Sequence, residues 1–170
     1  MAKKILYTDI ADYFIALSNE TGSLITNLKL QKLVYYSQAW HLAMFETPIF
    51  AEEFEAWIHG PVLPDLFYQY KGTYYRPIER NDLNAESMVI LRKKFGKTLS
   101  NLIEEVVEEY FGMESYALEQ TTHAEEPWLK ARKNLPQDAP SHEIISKESM
   151  KKYTVPYYFF NCLIMNCLRR

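Results

Sequence analysis

The chain has 170 residues, 48% of them hydrophobic and 24% charged, with 5 glycines and a formal net charge of −3. A length of this order gives one domain by default and is enough to bury a core. The composition is globular, and the net charge gives no general electrostatic drive toward nucleic acid, leaving only local basic clusters to consider. The aromatic load is 13 Tyr, 9 Phe and 3 Trp, and tyrosine suits interfaces as well as core edges.

Met1-Ala2-Lys3-Lys4 looks like the basic start of a signal segment, but Asp9 and Asp12 break the apolar run that would have to follow. The first helix is expected from Thr8 or Asp9, with Ile10, Tyr13, Phe14 and Leu17 on one stripe. Thr21-Gly22-Ser23 ends it. A second helix is expected to start with Asn27 as its N-cap, with Leu30, Leu33, Val34, Ser37, Trp40, His41 and Met44 inward. On this pattern Lys29, Lys32 and Gln38 face water. Pro48 closes that segment. Residues 52–57 read as a short extended run, Phe54 and Ala56 facing one way and Glu53, Glu55 and Trp57 the other.

His59-Gly60-Pro61 reads as a turn, and Pro64 fits the first turn of a helix carrying Leu66, Phe67 and Tyr70. Residues 72–84 look irregular. A short hairpin is expected to join residues 49–57 to residues 73–79. Helices follow at about 85–95, ended by Gly96, and from Thr98 or Ser100 to Gly112, the latter lined by Leu102, Ile103, Val106, Val107 and Tyr110. Another is expected around 115–121, and one more opens at Glu126-Pro127-Trp128. After a loop over 134–141, Ser146 caps a short helix. Residues 155–168 are apolar almost all round and fewer than the ~20 needed to span a bilayer. The fold class is mainly α, a compact single-domain helical bundle with a short β-hairpin.

Chemical motifs are sparse. There is no glycine-rich phosphate loop and no His-Glu-x-x-His pair. His123-Ala124-Glu125 matches half of a zinc-deaminase signature, without the Pro-Cys-x-x-Cys half. Cys162 and Cys167 lie ~140° apart on a helix and read as free thiols in a reducing cytosol. His41 reads as a hydrogen-bonded core residue and His142 as a solvated one. His59 and His123 are candidate general bases with no nucleophile near them in sequence. The clusters Arg92-Lys93-Lys94, Lys130–Lys133 and Lys151-Lys152 read as solvated helical faces, and no helix-turn-helix spacing stands out.

Three separated stretches, LKLQKLVYYSQAWHL (28–42), FEAWIHGPVLPDLFYQY (54–70) and LEQTTHAEEPWLKAR (118–132), resemble the Panacea domain family, also called SocA-like or GepA-like. The resemblance covers roughly residues 9–153. It implies an antitoxin of a bacterial or phage toxin–antitoxin system that neutralises a cognate protein toxin by direct binding. The family's toxins are diverse and include alarmone-synthetase-like enzymes. SocA-type members instead deliver their toxin to a protease as adaptors, and some members are phage-associated. The resulting expectation is a cytoplasmic, non-enzymatic domain over residues 1–153. An added apolar helix over 154–170 packs on the domain or on a partner. The signature or partner-binding residues are Trp57, His59, Gly60, Pro61, Pro64, Tyr68, His123, Pro127 and Trp128. No cofactor or metal is expected, and neither membrane nor nucleic acid is an expected partner; self-association is an open option. The alternatives are a protease adaptor, a DNA-binding regulator, or an enzyme using His59 or His123.

Overall fold

The computed structural model describes residues 4–73 and 75–154. Helix α1 (Tyr7–Thr21) buries Ile10, Tyr13 and Phe14 as the periodicity requires. Asp9 acts from inside its first turn, accepting the Leu6 amide at 2.7 Å. This satisfies an amide that has no intrahelical partner.

Helix α2 (Asn27–Phe45) is the axis of the molecule. Its cap is Thr26, whose hydroxyl accepts the Lys29 amide at 3.3 Å. Asn27 is therefore not the cap, and its side chain turns inward instead. The expectation that Lys29, Lys32 and Gln38 face water is wrong: their exposures are 8%, 0% and 0%. The physical reason is enclosure. Helices α1 and α4 (Ala85–Val106) pack against α2, as do α5 (Ser115–Ala124), α3 (Pro64–Gln69) and strand β2 (Gly60–Val62), leaving no long face for water. Lys29 places its ammonium 5.1 Å from the Phe111 ring centroid, a cation–π contact that suits a charge at the edge of a core.

The hairpin also differs from expectation. Strand β1 (Phe54–Trp57) pairs with β2, not with residues 73–79, in the register Glu55↔Val62, Ala56↔Pro61 and Trp57↔Gly60. Gly60 takes φ 93°, a value open to glycine, so the chain reverses over Ile58-His59 alone. The segment His59-Gly60-Pro61 is thus half turn and half strand. Further on, Pro77 makes only an isolated bridge to Thr26. A third strand, β3 (Ile144–Ile145), joins the other edge of β1 antiparallel, so the order is β2-β1-β3. Phe54 and Ala56 are buried on the core face of β1, as the alternation foretells.

Pro64 occupies the first turn of α3. Helix α4 contains both expected helices, kinked at Gly96 (φ 72°, ψ 175°), and continues as a π-helical turn over Val107–Phe111. Lys94 pairs with Asp9 at 2.6 Å, and Arg92 bonds Glu104 across the kink. Helix α6 (Glu126–Arg132) carries Pro127 in its first turn. Residues 147–154 form α7, capped by Ser146, which accepts the Ser149 amide at 3.1 Å. Of the basic clusters expected on solvated helical faces, Lys130 pairs with Glu126, Lys151 with Glu46 and Lys152 with Glu148, but Arg132 is buried, because it turns inward to the Ala56 carbonyl. The apolar segment from residue 155 onward lies outside the described residues. Among those described, no helix is long and apolar enough to cross a membrane.

Candidate partner-binding site

The buried polar side chains of α2 form a rack for the hairpin and α3. Asn27, Gln31 and Gln38 fall at i, i+4 and i+11, one stripe of an α-helix. Asn27 Nδ2 donates to the Phe67 and Tyr70 carbonyls, both at 3.0 Å, which closes the C-terminal end of α3. Gln31 Oε1 accepts the Leu63 amide at 2.8 Å at the other end of α3. Gln38 spans residues 49 and 50 in the same way, with bonds of 2.8 and 2.9 Å. Next to the stripe, Lys32 Nζ donates to the Pro61 carbonyl at 3.0 Å. Complete burial pushes the Lys32 amine down to about 7, against the opposing pull of Glu119.

From the far side, α5 and α6 hold the same hairpin. Glu119, Thr122 and His123 share one face of α5 at i, i+3 and i+4. Glu119 Oε1 lies 2.9 Å from His59 Nδ1. A Cβ on Gly60 would sit 2.6 Å from Thr122 Oγ1 and 2.9 Å from Lys32 Nζ, so this strand position is closed to any side chain. His123 stacks on Trp128 at 4.2 Å and bonds the Ile58 backbone, while its Nε2 is buried without a hydrogen-bond partner. Burial lowers the His123 pKa. Trp128 is 1% exposed and donates its indole N–H to the Trp57 carbonyl at 2.9 Å. Arg132, also buried, donates to the Ala56 carbonyl at 3.0 Å and to the carbonyls of Pro136, Gln137 and Ala139. It therefore staples the 134–141 loop to β1.

These supports frame an open groove of about 400 Å³. Trp57, Ile58, Val62 and Phe67 supply its apolar surface, Pro140 and Ser141 one wall, and His59 and His142 its polar groups. Trp57 is half-buried, its ring 4.9 Å from Phe67 and 6.5 Å from Tyr68, which is 60% exposed. Glu55 Oε2 receives two donors, Trp57 Nε1 at 2.6 Å and His142 Nδ1 at 2.7 Å. His142 is therefore exposed, as read from the sequence, but braced. His41 bonds the Thr47 carbonyl at 2.6 Å, away from the groove.

The structure thus brings Trp57, His59, Gly60, Pro61, His123 and Trp128 around one hairpin, with Pro64 and Tyr68 on the adjoining helix. Pro127 lies elsewhere, in a second crevice of about 250 Å³ beside Ile144. Sequence reasoning missed Asn27, Gln31, Lys32, Glu119 and Arg132. The spacing of Asn27, Gln31 and Gln38 on one stripe of α2 was the available signal for a shared role. Among the described residues no group of three or more His, Cys, Asp or Glu side chains is placed to hold a metal ion.

Residues 30–129 match the family described as Antitoxin SocA-like, Panacea domain. The match runs from the α2 rack through the hairpin to the tryptophan helix. Neither the curated proteins nor the solved structures give a significant match. By a match over more than half its length, the chain belongs to the SocA-like, Panacea-domain antitoxin family.

Proposed function

We propose that this protein is the antitoxin of a toxin–antitoxin pair and neutralises a protein toxin by binding it directly, without catalysis. The family match over residues 30–129 carries this reading. The groove beside Trp57 supports it, because half-buried aromatic side chains on a rigid frame are the usual anchors of protein interfaces. A frame already held by Lys32, Trp128 and Arg132 has little ordering entropy left to lose on association. In this reading residues 1–153 form the antitoxin domain, and the apolar residues beyond it pack on the domain or on the toxin. The setting is cytoplasmic.

Co-expression with the toxin encoded next to it tests the reading. Growth is rescued, and the two proteins co-elute at micromolar concentration. Rescue with no complex and a falling toxin level would point to delivery to a protease. The His59–Glu119 pair favours one further reading, since a carboxylate-braced imidazole is the form of a general base. A His59→Ala protein that keeps its melting temperature and its toxin affinity but loses neutralisation would support that enzymatic alternative.

A further inference from the structure

The outer face of β1 carries Glu53, Glu55 and Trp57 in alternation, and its two carboxylates differ. Glu53 has a cation, the Lys147 ammonium at 2.5 Å. Glu55 is three-quarters buried, with 23% side-chain exposure, and among the described residues no lysine or arginine lies within ion-pair distance of it. Its contacts are two ring N–H groups, Trp57 Nε1 and His142 Nδ1, and both fall on the same oxygen, Oε2. A carboxylate can accept about four hydrogen bonds, so Oε1 retains its capacity. Both rings that bond Glu55 line the groove, whose lining contains no lysine or arginine. On its other flank Glu119 stands behind His59, facing buried Lys32 and His123. On the aromatic rim the Lys71 ammonium sits 5.8 Å from the Tyr68 ring centroid.

We infer that the groove takes an aromatic or branched apolar side chain of the toxin presented next to a basic residue, with Glu55 as the acceptor of that cation. The apolar surface of Trp57, Val62 and Phe67 takes the side chain. A carboxylate bonded by two ring N–H groups but by no lysine or arginine, held at the edge of a low-dielectric groove, gives a stronger field than one in open water. Glu55 is held in place by the same two rings that form the groove, so side chain and charge are read together.

This inference rests on the antitoxin reading for the identity of its occupant, but its chemistry can be tested without the toxin. The probes are tryptamine and indole-3-acetate, which carry one ring with opposite charges. Their binding is followed through the Trp57 indole N–H and the His142 ring signals by NMR. Tryptamine shifts both signals and binds about fivefold more tightly than indole-3-acetate, the discrimination expected of one partly exposed ion pair. Glu55→Gln removes the preference, and Glu53→Gln keeps it. No shift at Trp57, no preference between the probes, or a preference that survives Glu55→Gln would each overturn the proposal. If Glu55→Gln unfolds the protein, the parent protein is titrated with both probes at low and at high salt: the preference for tryptamine falls as salt screens the ion pair, and a preference that salt leaves unchanged refutes a carboxylate acceptor. In cells, Glu55→Gln weakens rescue if the proposal holds. A wild-type protein that discriminates the probes but rescues no growth refutes the antitoxin reading instead.

Discussion

Replacing Lys32 by Met tests the energetic reading of the α2 rack. The Lys32 side chain is fully enclosed, its amine pushed from 10.5 to about 7 by burial, with Glu119 and His123 as the titratable groups that interact with it. As pH falls below the unfolded-state value, the unfolded chain takes up the proton first and folding becomes less favourable. The cost grows until the folded-state value is reached and is constant below it. A depression of roughly three to four units corresponds to about 4–5 kcal/mol at full development, at 1.36 kcal/mol per unit. Met removes that cost but leaves the Pro61 carbonyl without its donor, worth about 1–3 kcal/mol. Lys32→Met is therefore more stable than the parent near pH ~7 and less stable near pH ~10, the difference moving by about 3–4 kcal/mol across that window. Urea unfolding of both proteins at several pH values measures this. Groups other than Lys32 are common to the two proteins and largely cancel in the difference. A stability difference that stays flat within about 0.5 kcal/mol across the window would refute the claim that a charge on Lys32 opposes folding.

Four further outcomes follow from the same geometry. Gly60→Ala combines a positive φ with contacts of 2.6 and 2.9 Å and lowers stability by about 2–4 kcal/mol, read as a lower melting temperature. Trp128→Ala, at a 1% exposed site with a bond to the Trp57 carbonyl, costs about 3–5 kcal/mol in chemical denaturation. Burial raises Glu125 from 4.5 to about 7 against the opposing Tyr36 hydrogen bond, so the folded state holds its proton longer. Stability then falls as pH rises through that range, and Glu125→Gln stabilises by up to about 3 kcal/mol above pH ~7, with the gain vanishing below pH ~4. Truncation after Thr154 either lowers the melting temperature and exposes apolar surface or leaves a folded domain that has lost toxin binding or self-association; calorimetry and size exclusion separate the two.

Much of the frame was legible because it follows simple periods. The α1 stripe, the alternation of Phe54 and Ala56, the break at Gly96 and Pro127 in a first turn each depend on neighbours within a few residues. Helix α2 was misread because a polar residue is assigned to water by default. Asn27, Gln31, Lys32 and Gln38 instead answer backbone groups 11 to 43 residues away, and nothing local to the helix announces those partners. The hairpin was displaced for a similar reason. Its return strand is only Gly60–Val62 and contains a proline, so it lacks the alternation that marks a strand. β3, with two residues, has no period at all. His59 stands out in the sequence as a candidate general base, but its carboxylate, Glu119, lies 60 residues on.

The three sequence stretches that carried the family resemblance meet at the hairpin, and most of their residues face inward there. Lys32, Gly60, Pro61 and Thr122 meet within contact distance, and His123 and Trp128 close the back of the turn. Such residues cannot vary independently, because each fills space or satisfies a backbone group that another creates. Around the groove the three stretches present Trp57, His59, Phe67 and Tyr68, and His142 joins these from the chain beyond them. A signature of this kind specifies the position of a surface rather than its occupant. Changes to the groove's outer side chains alter which partner fits at little cost to folding, since substitutions at exposed sites typically change stability by about 0.5 kcal/mol or less. Tyr68→Ala is the direct case. At 60% exposure it leaves the unfolding midpoint nearly unchanged and weakens toxin binding in a titration. A Tyr68→Ala protein that binds its toxin as tightly as the parent would place the interface on another face of the domain.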